Sequence, residues 1–125
     1  MEKLGPDQVP EYLALQSPQN REQLERIIQI VQQEIPGAKP CISYQIIGFA
    51  VGKKKIFYVS GWSDHLSFHG THKHTNQNMA VAYPDWFTLK GMTLQFQARP
   101  ELPERIIRQV AQERYQTYLA ETETK

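Results

Sequence analysis

Cysteine is nearly absent: Cys41 is the only one in 125 residues. No internal disulfide can form, which excludes a secreted disulfide scaffold and a paired-cysteine metal or redox site. A charge excess of one sign is also missing, since 14 Lys and Arg against 13 Asp and Glu leave +1. A dedicated DNA-binding domain usually carries a basic surplus to neutralise phosphates, so this balance argues against nucleic acid. No apolar run approaches the ~20 residues needed to span a bilayer. The opening Met1-Glu2-Lys3-Leu4-Gly5-Pro6 holds no apolar signal stretch. We therefore expect no membrane association and a cytoplasmic address. There is no internal repeat and no low-complexity tract.

What is present is the length of one ordinary domain, with 40% hydrophobic and 10% aromatic residues, enough for a packed core. Residues 1–17 read as an N-terminal arm with a short helix around Val9 to Leu15. Ser17 suits an N-cap and Pro18 a first helical turn. From there to Ile35, Leu24, Ile27, Ile28, Val31 and Ile35 recur at helical spacing until Pro36-Gly37 stops the helix. Ile42–Ile47 and Gly48–Val51 are rich in β-formers, and Gly52-Lys53-Lys54 turns the chain into Lys55–Trp62. After a second turn at Ser63-Asp64, residues His65 to Gly70 alternate, Leu66 and Phe68 against His65, Ser67 and His69. Gly70 to Asn76 reads as a polar loop and Asn78 to Tyr83 as a short helix. Past Gly91 the alternation predicts Met92, Leu94 and Phe96 inward and Thr93, Gln95 and Gln97 outward. A last helix, about Pro103 to Ala120, carries Ile106, Ile107, Val110, Tyr118 and Leu119 on its apolar stripe.

Short strands joined by tight turns demand antiparallel pairing. The expected class is α+β in two layers. A mainly antiparallel sheet of about five strands has the N- and C-terminal helices packed on one face. Ile27, Ile28 and Val31 should share one core with Ile106, Ile107 and Val110. The expected organisation is an arm over 1–17, a single domain over 18–120 and a solvated tail over 121–125.

Four histidines fall in one short window: His65, His69, His72 and His74. Imidazole suits zinc, copper, iron and nickel, so the cluster raises a metal site. On one strand His65 and His69 lie ~13 Å apart at ~3.3 Å per residue. Ligand nitrogens sit ~2.0–2.1 Å from zinc, so that pair cannot chelate. His69, His72 and His74 converge only if the loop curls, with Asp64 or a neighbouring strand completing the set. The plain alternative is a polar strand face running into a solvated loop.

Other features have bland readings beside the chemical ones. Lys53-Lys54-Lys55 could anchor an anion, but charged turns also discourage edge pairing. Tyr44, Phe49, Phe57, Tyr58, Trp62 and Phe68 could stack bases if exposed on a sheet face. In alternating strands about half of such rings fill the core. Cys41 has no local base to make it a thiolate. Ser63-Asp64-His65 holds triad letters, but consecutive strand residues point to opposite faces. Glu22 and Glu25 share a helix face. Glu101 and Glu104 suit the positive end of the last helix.

The run Ile35-Pro36-Gly37, Ile42-Ser43-Tyr44 and Phe49 resembles the start of the sheet in the YdhG-like family. The resemblance continues through Phe57-Tyr58, Asp64-His65-Leu66-Ser67-Phe68 and Leu89-Lys90-Gly91-Met92-Thr93-Leu94-Gln95-Phe96. It ends with Leu102-Pro103, Ile106-Ile107 and Arg114, and so covers about Glu22 to Leu119. It implies an α+β fold and a cytoplasmic protein. That family is mainly a domain of unknown function, and it includes frataxin-like iron chaperones, a role that depends on carboxylate-rich iron binding. Iron or another transition metal is the cofactor so implied.

Three functional classes follow. One is a non-enzymatic binding protein that handles a metal ion, with His69, His72 and His74 as ligands. A second is an interaction module that meets a protein partner through the sheet face or edge. A third is a small-ligand binder with a pocket between sheet and helices. An enzyme is disfavoured because no nucleophile–base or metal–base motif is visible.

Overall fold

The Ser17 hydroxyl accepts a hydrogen bond from the backbone N–H of Asn20 at 3.2 Å, and Pro18 occupies the first turn. The helix so started, α2 (Pro18–Glu34), buries Leu24, Ile27, Ile30 and Val31. The computed structural model describes residues 3–97 and 99–123. Before α2 comes α1 (Val9–Ala14), and after it β1 (Lys39–Ser43), β2 (Ile46–Val51), β3 (Lys54–Gly61) and β4 (His65–His69). Then follow α3 (Lys73–Ala82), β5 (Phe87–Lys90), β6 (Thr93–Gln97) and α4 (Glu104–Glu123). All neighbouring strands run antiparallel in the order β1-β2-β3-β4-β6-β5.

The architecture is the two-layer α+β sandwich expected, with six strands rather than about five. Helices α2 and α4 pack on each other and on β3. Ile27, Val31, Ile107 and Val110 are buried in one core with the sheet, and Ile28 and Ile106 pack at its margin. The residues read as an arm hold α1, whose Tyr12 is buried, its hydroxyl oxygen accepting from Gly61 N–H at 3.0 Å. Helix α4 continues into the segment read as a tail. Met1, Glu2, Thr124 and Lys125 of the expected arm and tail lie outside the described residues.

Three local readings are corrected. Between Ser43 and Ile46 the chain turns rather than running on as a strand, with Tyr44 and Gln45 at φ 53° and 62°. Two-residue hairpin turns of this kind favour Asn-Gly, so Tyr-Gln carried no turn signal. Met92 does not point inward but is 57% exposed, because Gly91 (φ 60°) and Met92 form the two-residue turn between β5 and β6. Leu94 and Phe96 are buried as expected, and Gln97 is exposed. Helix α3 starts at Lys73, not Asn78. Its buried side includes polar residues, Thr75 and Asn76, which hide the helical period. Asn76 is held by Thr71 Oγ1 and by the Met92 carbonyl, the latter at 3.1 Å.

Phe96→Ala is expected to cost roughly 3–5 kcal/mol, the range for a fully buried ring. Met92→Ala should stay within about 0.5 kcal/mol, as for an exposed turn residue. Urea denaturation of the two variants checks both, and equal losses would contradict this placement of the turn.

Candidate functional site

Strand register fixes which side chains the helices leave uncovered. Ile47, Val59, Phe68 and Leu94 form one row on the helix side. The intervening residues face away: Cys41, Gly48, Tyr58 and His69 in one row, and Ser60, Ser67, Gln95 and Thr88 in the next. Helices α2 and α4 leave this second face open.

Two rings are seated on it. The Trp62 indole donates its Nε1–H to Ser60 Oγ at 2.8 Å and stacks on His65 at 6.1 Å with 15° between the planes. Trp62 is nevertheless 51% exposed. Tyr58 lies where glycines leave room on both sides. A Cβ on Gly48 would stand 3.1 Å from its ring, and one on Gly70 would stand 3.0 Å from it. Tyr44 approaches Tyr58 with ring centroids 6.1 Å apart and is 86% exposed.

Beneath the rings runs a polar chain. Ser60 Oγ is 2.9 Å from His69 Nε2, and His69 Nδ1 is 3.2 Å from Thr93 Oγ1. Indole N–H can only donate, so Ser60 accepts from Trp62. Its own proton is free for His69 Nε2, and a neutral imidazole so paired carries its hydrogen on Nδ1, directed at Thr93. Burial pushes the His69 imidazole below its ordinary pKa, in keeping with that neutral form. Ser60 and His69 are at the distance of a nucleophile and its base. The serine has no exposed surface, however, so no substrate reaches it in this arrangement.

The sequence grouped His69, His72 and His74, and the structure gives each a different neighbour. His69 is engaged on both nitrogens by hydroxyls within the sheet. His72 precedes α3, its Nε2 3.1 Å from Glu121 Oε1, and His74 Nε2 is 3.1 Å from the Asn78 amide. His72 and His74 do share the wall of a groove with Thr75, Gln112 and Glu113. Among the described residues no three His, Cys, Asp or Glu side chains gather so as to hold a metal ion. As arranged, the donors do not fit a transition metal, which needs several converging ligands. Asp64, offered above to complete the set, instead pairs with His65 Nδ1 at 2.7 Å. The two meet because Asp64 lies in the turn before β4 and not in the strand. That hydrogen bond holds its carboxyl below the usual range.

Glu121 is the focus of a second cluster, on the helix side. Lys54 Nζ lies 3.1 Å from its Oε2, and Arg114 Nη1 lies 3.9 Å from its Oε1. Hydrogen bonds from Lys54 and then His72 hold its carboxyl low. This cluster ties the end of α4 to the start of β3 and α3.

Alternation had marked His65, Ser67 and His69 as the wetter side of β4, and Tyr44, Tyr58 and Trp62 stood among the rings weighed for stacking. Phe49, Phe57 and Phe68, weighed with them, are core. Reasoning from sequence missed Ser60, which holds Trp62, and the glycine slots around Tyr58. Both depend on cross-strand neighbours.

His69 gives the fold a pH dependence with a defined sign. Its pKa is depressed on folding, so the unfolded chain takes up the proton at higher pH. Stability is full above the unfolded value of about 6.5 and declines as pH falls through and below it. The expected result is a drop in urea midpoint from about pH 7.5 to about pH 5.5 that His69→Gln largely removes. An NMR titration placing His69 at or above the ordinary value would contradict this burial argument.

Among the described residues no helix is long and apolar enough to cross a membrane. No family model matches the sequence, and no curated protein matches it. A solved structure does: a protein of the DUF1801 family, YdhG, from Bacillus subtilis. The two superpose with a TM-score of 0.70 over 90% of this chain and 89% of that one, at 15% sequence identity. At that identity the likeness is one of fold, and this chain has the α+β fold of that DUF1801 protein.

Proposed function

We propose that this chain is a YdhG-like binding domain that meets its partner on the open face of the sheet, in the cytoplasm. The observation that carries the reading is the seating of Trp62. A large ring left half exposed is common, but this one is fixed by a hydrogen bond to buried Ser60 and by stacking on His65. Fixing a contact ring before binding lowers the entropy lost on association. Tyr44 supports the same reading. A non-glycine residue at φ 53° costs about 1–3 kcal/mol, and such strain clusters at functional positions.

The small-ligand reading has less behind it. The hollows bordering the helices, such as that between His74 and Gln116 or those lined by Val9 and Leu13 and by Trp86 and Ile106, are open grooves and not enclosed cavities. Iron handling, which the resemblance to frataxin-like relatives implies, also has less support, since the histidines and carboxylates do not converge.

Native mass spectrometry of the protein purified from its own host tests these readings together. A component retained by wild type and lost from a Tyr44→Ala/Trp62→Ala double variant is the expected result. Stoichiometric iron that survives the double variant would move the function off this face.

A further inference from the structure

The occupant of the open face can be argued further, on the footing that this face is the binding surface. Among the described residues no strand residue is Asp or Glu, although the chain holds 13 acidic residues. The acids among the described residues lie in helices, turns and bends. Register places Lys39 and Lys55 on the open face, paired with Ala50 from either side, and Lys90 on the same face opposite Thr93. Lys54, by contrast, lies on the helix side, where Glu121 takes it up. The charge of +1 for the whole chain therefore averages a carboxylate-free sheet that carries lysines against a slight acidic excess in the rest. This is why composition alone argued against nucleic acid.

We infer that the open face binds single-stranded nucleic acid, with bases on Trp62 and on the Tyr44–Tyr58 pair and phosphates on Lys39, Lys55 and Lys90. Trp62 and Tyr58 are four residues apart along one side of the chain, ~13 Å at ~3.3 Å per residue. That separation gives two distinct base-sized platforms. A ring seated on the sheet with one π-face open suits base stacking, which tolerates any sequence. Lysines at the rim suit the backbone of a strand whose bases lie inward. An acidic peptide would pair with the lysines, but it does not carry a planar ring on every unit as a nucleic-acid strand does. A duplex hides its base faces and cannot use the rings.

Fluorescence anisotropy with labelled oligouridine and oligothymidine of about eight nucleotides tests the inference on the full chain. Wild type should bind both at low salt, with log K falling against log [salt] at a slope near about −2, the value for three phosphate contacts on a single strand. Trp62→Ala should weaken binding roughly 5- to 100-fold, the weight of one stacked base, while Trp62→Phe keeps a ring and retains most of it. Tyr44→Ala changes only an exposed turn side chain, so its loss of affinity cannot be put down to unfolding. Lys39→Ala/Lys55→Ala should flatten the salt slope by about 1.4. Absence of binding at low salt overturns the inference. So does affinity unchanged by both ring variants, or a poly-glutamate peptide that binds as well and depends on the same rings. Failure in any of these ways leaves the open-face reading standing if the component that copurifies from the host still requires Tyr44 and Trp62. Loss of both results would bring down the face itself.

Discussion

Five phenylalanines cross the sheet in a continuous row beneath the helices, and most of the molecule follows from them. Phe49 stacks on Phe57 at 5.9 Å and Phe57 on Phe68 at 5.5 Å, Phe68 meets Phe96 at a tilt at 5.4 Å, and Phe96 meets Phe87 edge-on at 6.0 Å. The row links β2, β3, β4, β6 and β5, one ring from each. Side chains alternate along a strand, so each ring also fixes its neighbours on the other face. A slip of one residue in any of these strands would pull a phenylalanine out of the core and bring in a neighbour from the other face, such as Gly48, Tyr58, Ser67, Thr88 or Gln95. The positions of Tyr58, Ser60 and His69 on the open side are thus set by rings that they never touch.

One irregularity modifies that register. Pairing shifts between Phe49 and Ala50, which leaves Ile56 as an extra residue in β3, and both Ile56 and Phe57 are buried. A bulge frees backbone groups from the ladder. The Ile56 carbonyl is met by Arg114 Nε from α4. Arg114 is itself buried, and burial lowers its pKa. A guanidinium placed there needs both the carbonyl and the Glu121 carboxylate to offset its lost hydration. The bulge has a further effect on the open side. It lets Lys55 face outward with Ala50 while Tyr58 still pairs with Gly48.

The fold was legible where apolar residues carry the period. The stripes of α2 and α4 and the alternation of β4 and β6 rest on large side chains buried at regular spacing. Legibility failed where polar groups did the packing. Helix α3 is seated by Thr75 and Asn76, and the Tyr44–Gln45 turn is held by Gln45, whose amide clasps Leu4 N–H at 2.9 Å and Leu4 C=O at 3.0 Å. Strand β5 was missed because only four residues separate Pro84–Trp86 from the Gly91 turn, too few for a period to emerge. The histidines were grouped by nearness in sequence. In space they divide among the sheet, a helix cap and a helix, and only the pairing of strands shows that His69 belongs with Ser60 and Trp62.

Edges and faces are treated differently in this sheet, and the contrast bears on the proposed open-face reading. At the β1 edge the Ile42 N–H, which points away from β2, is taken by the Pro6 carbonyl at 2.9 Å. At the other edge β5 is only four residues long, ends in Lys90, and packs against α3. Short, covered and lysine-bearing edges resist the addition of another strand. The open face carries no such guard. Ser60 and Ser67 are buried there, and Trp62 is hydrogen-bonded to Ser60. A sheet built only for stability would gain by covering Trp62 or replacing it with a polar residue. Here the ring is kept in place by a buried hydroxyl, which in turn engages a neutral histidine, so three residues are committed to holding one exposed surface. The proposed recognition through side chains on the face, in place of strand addition at the edge, rests on that arrangement.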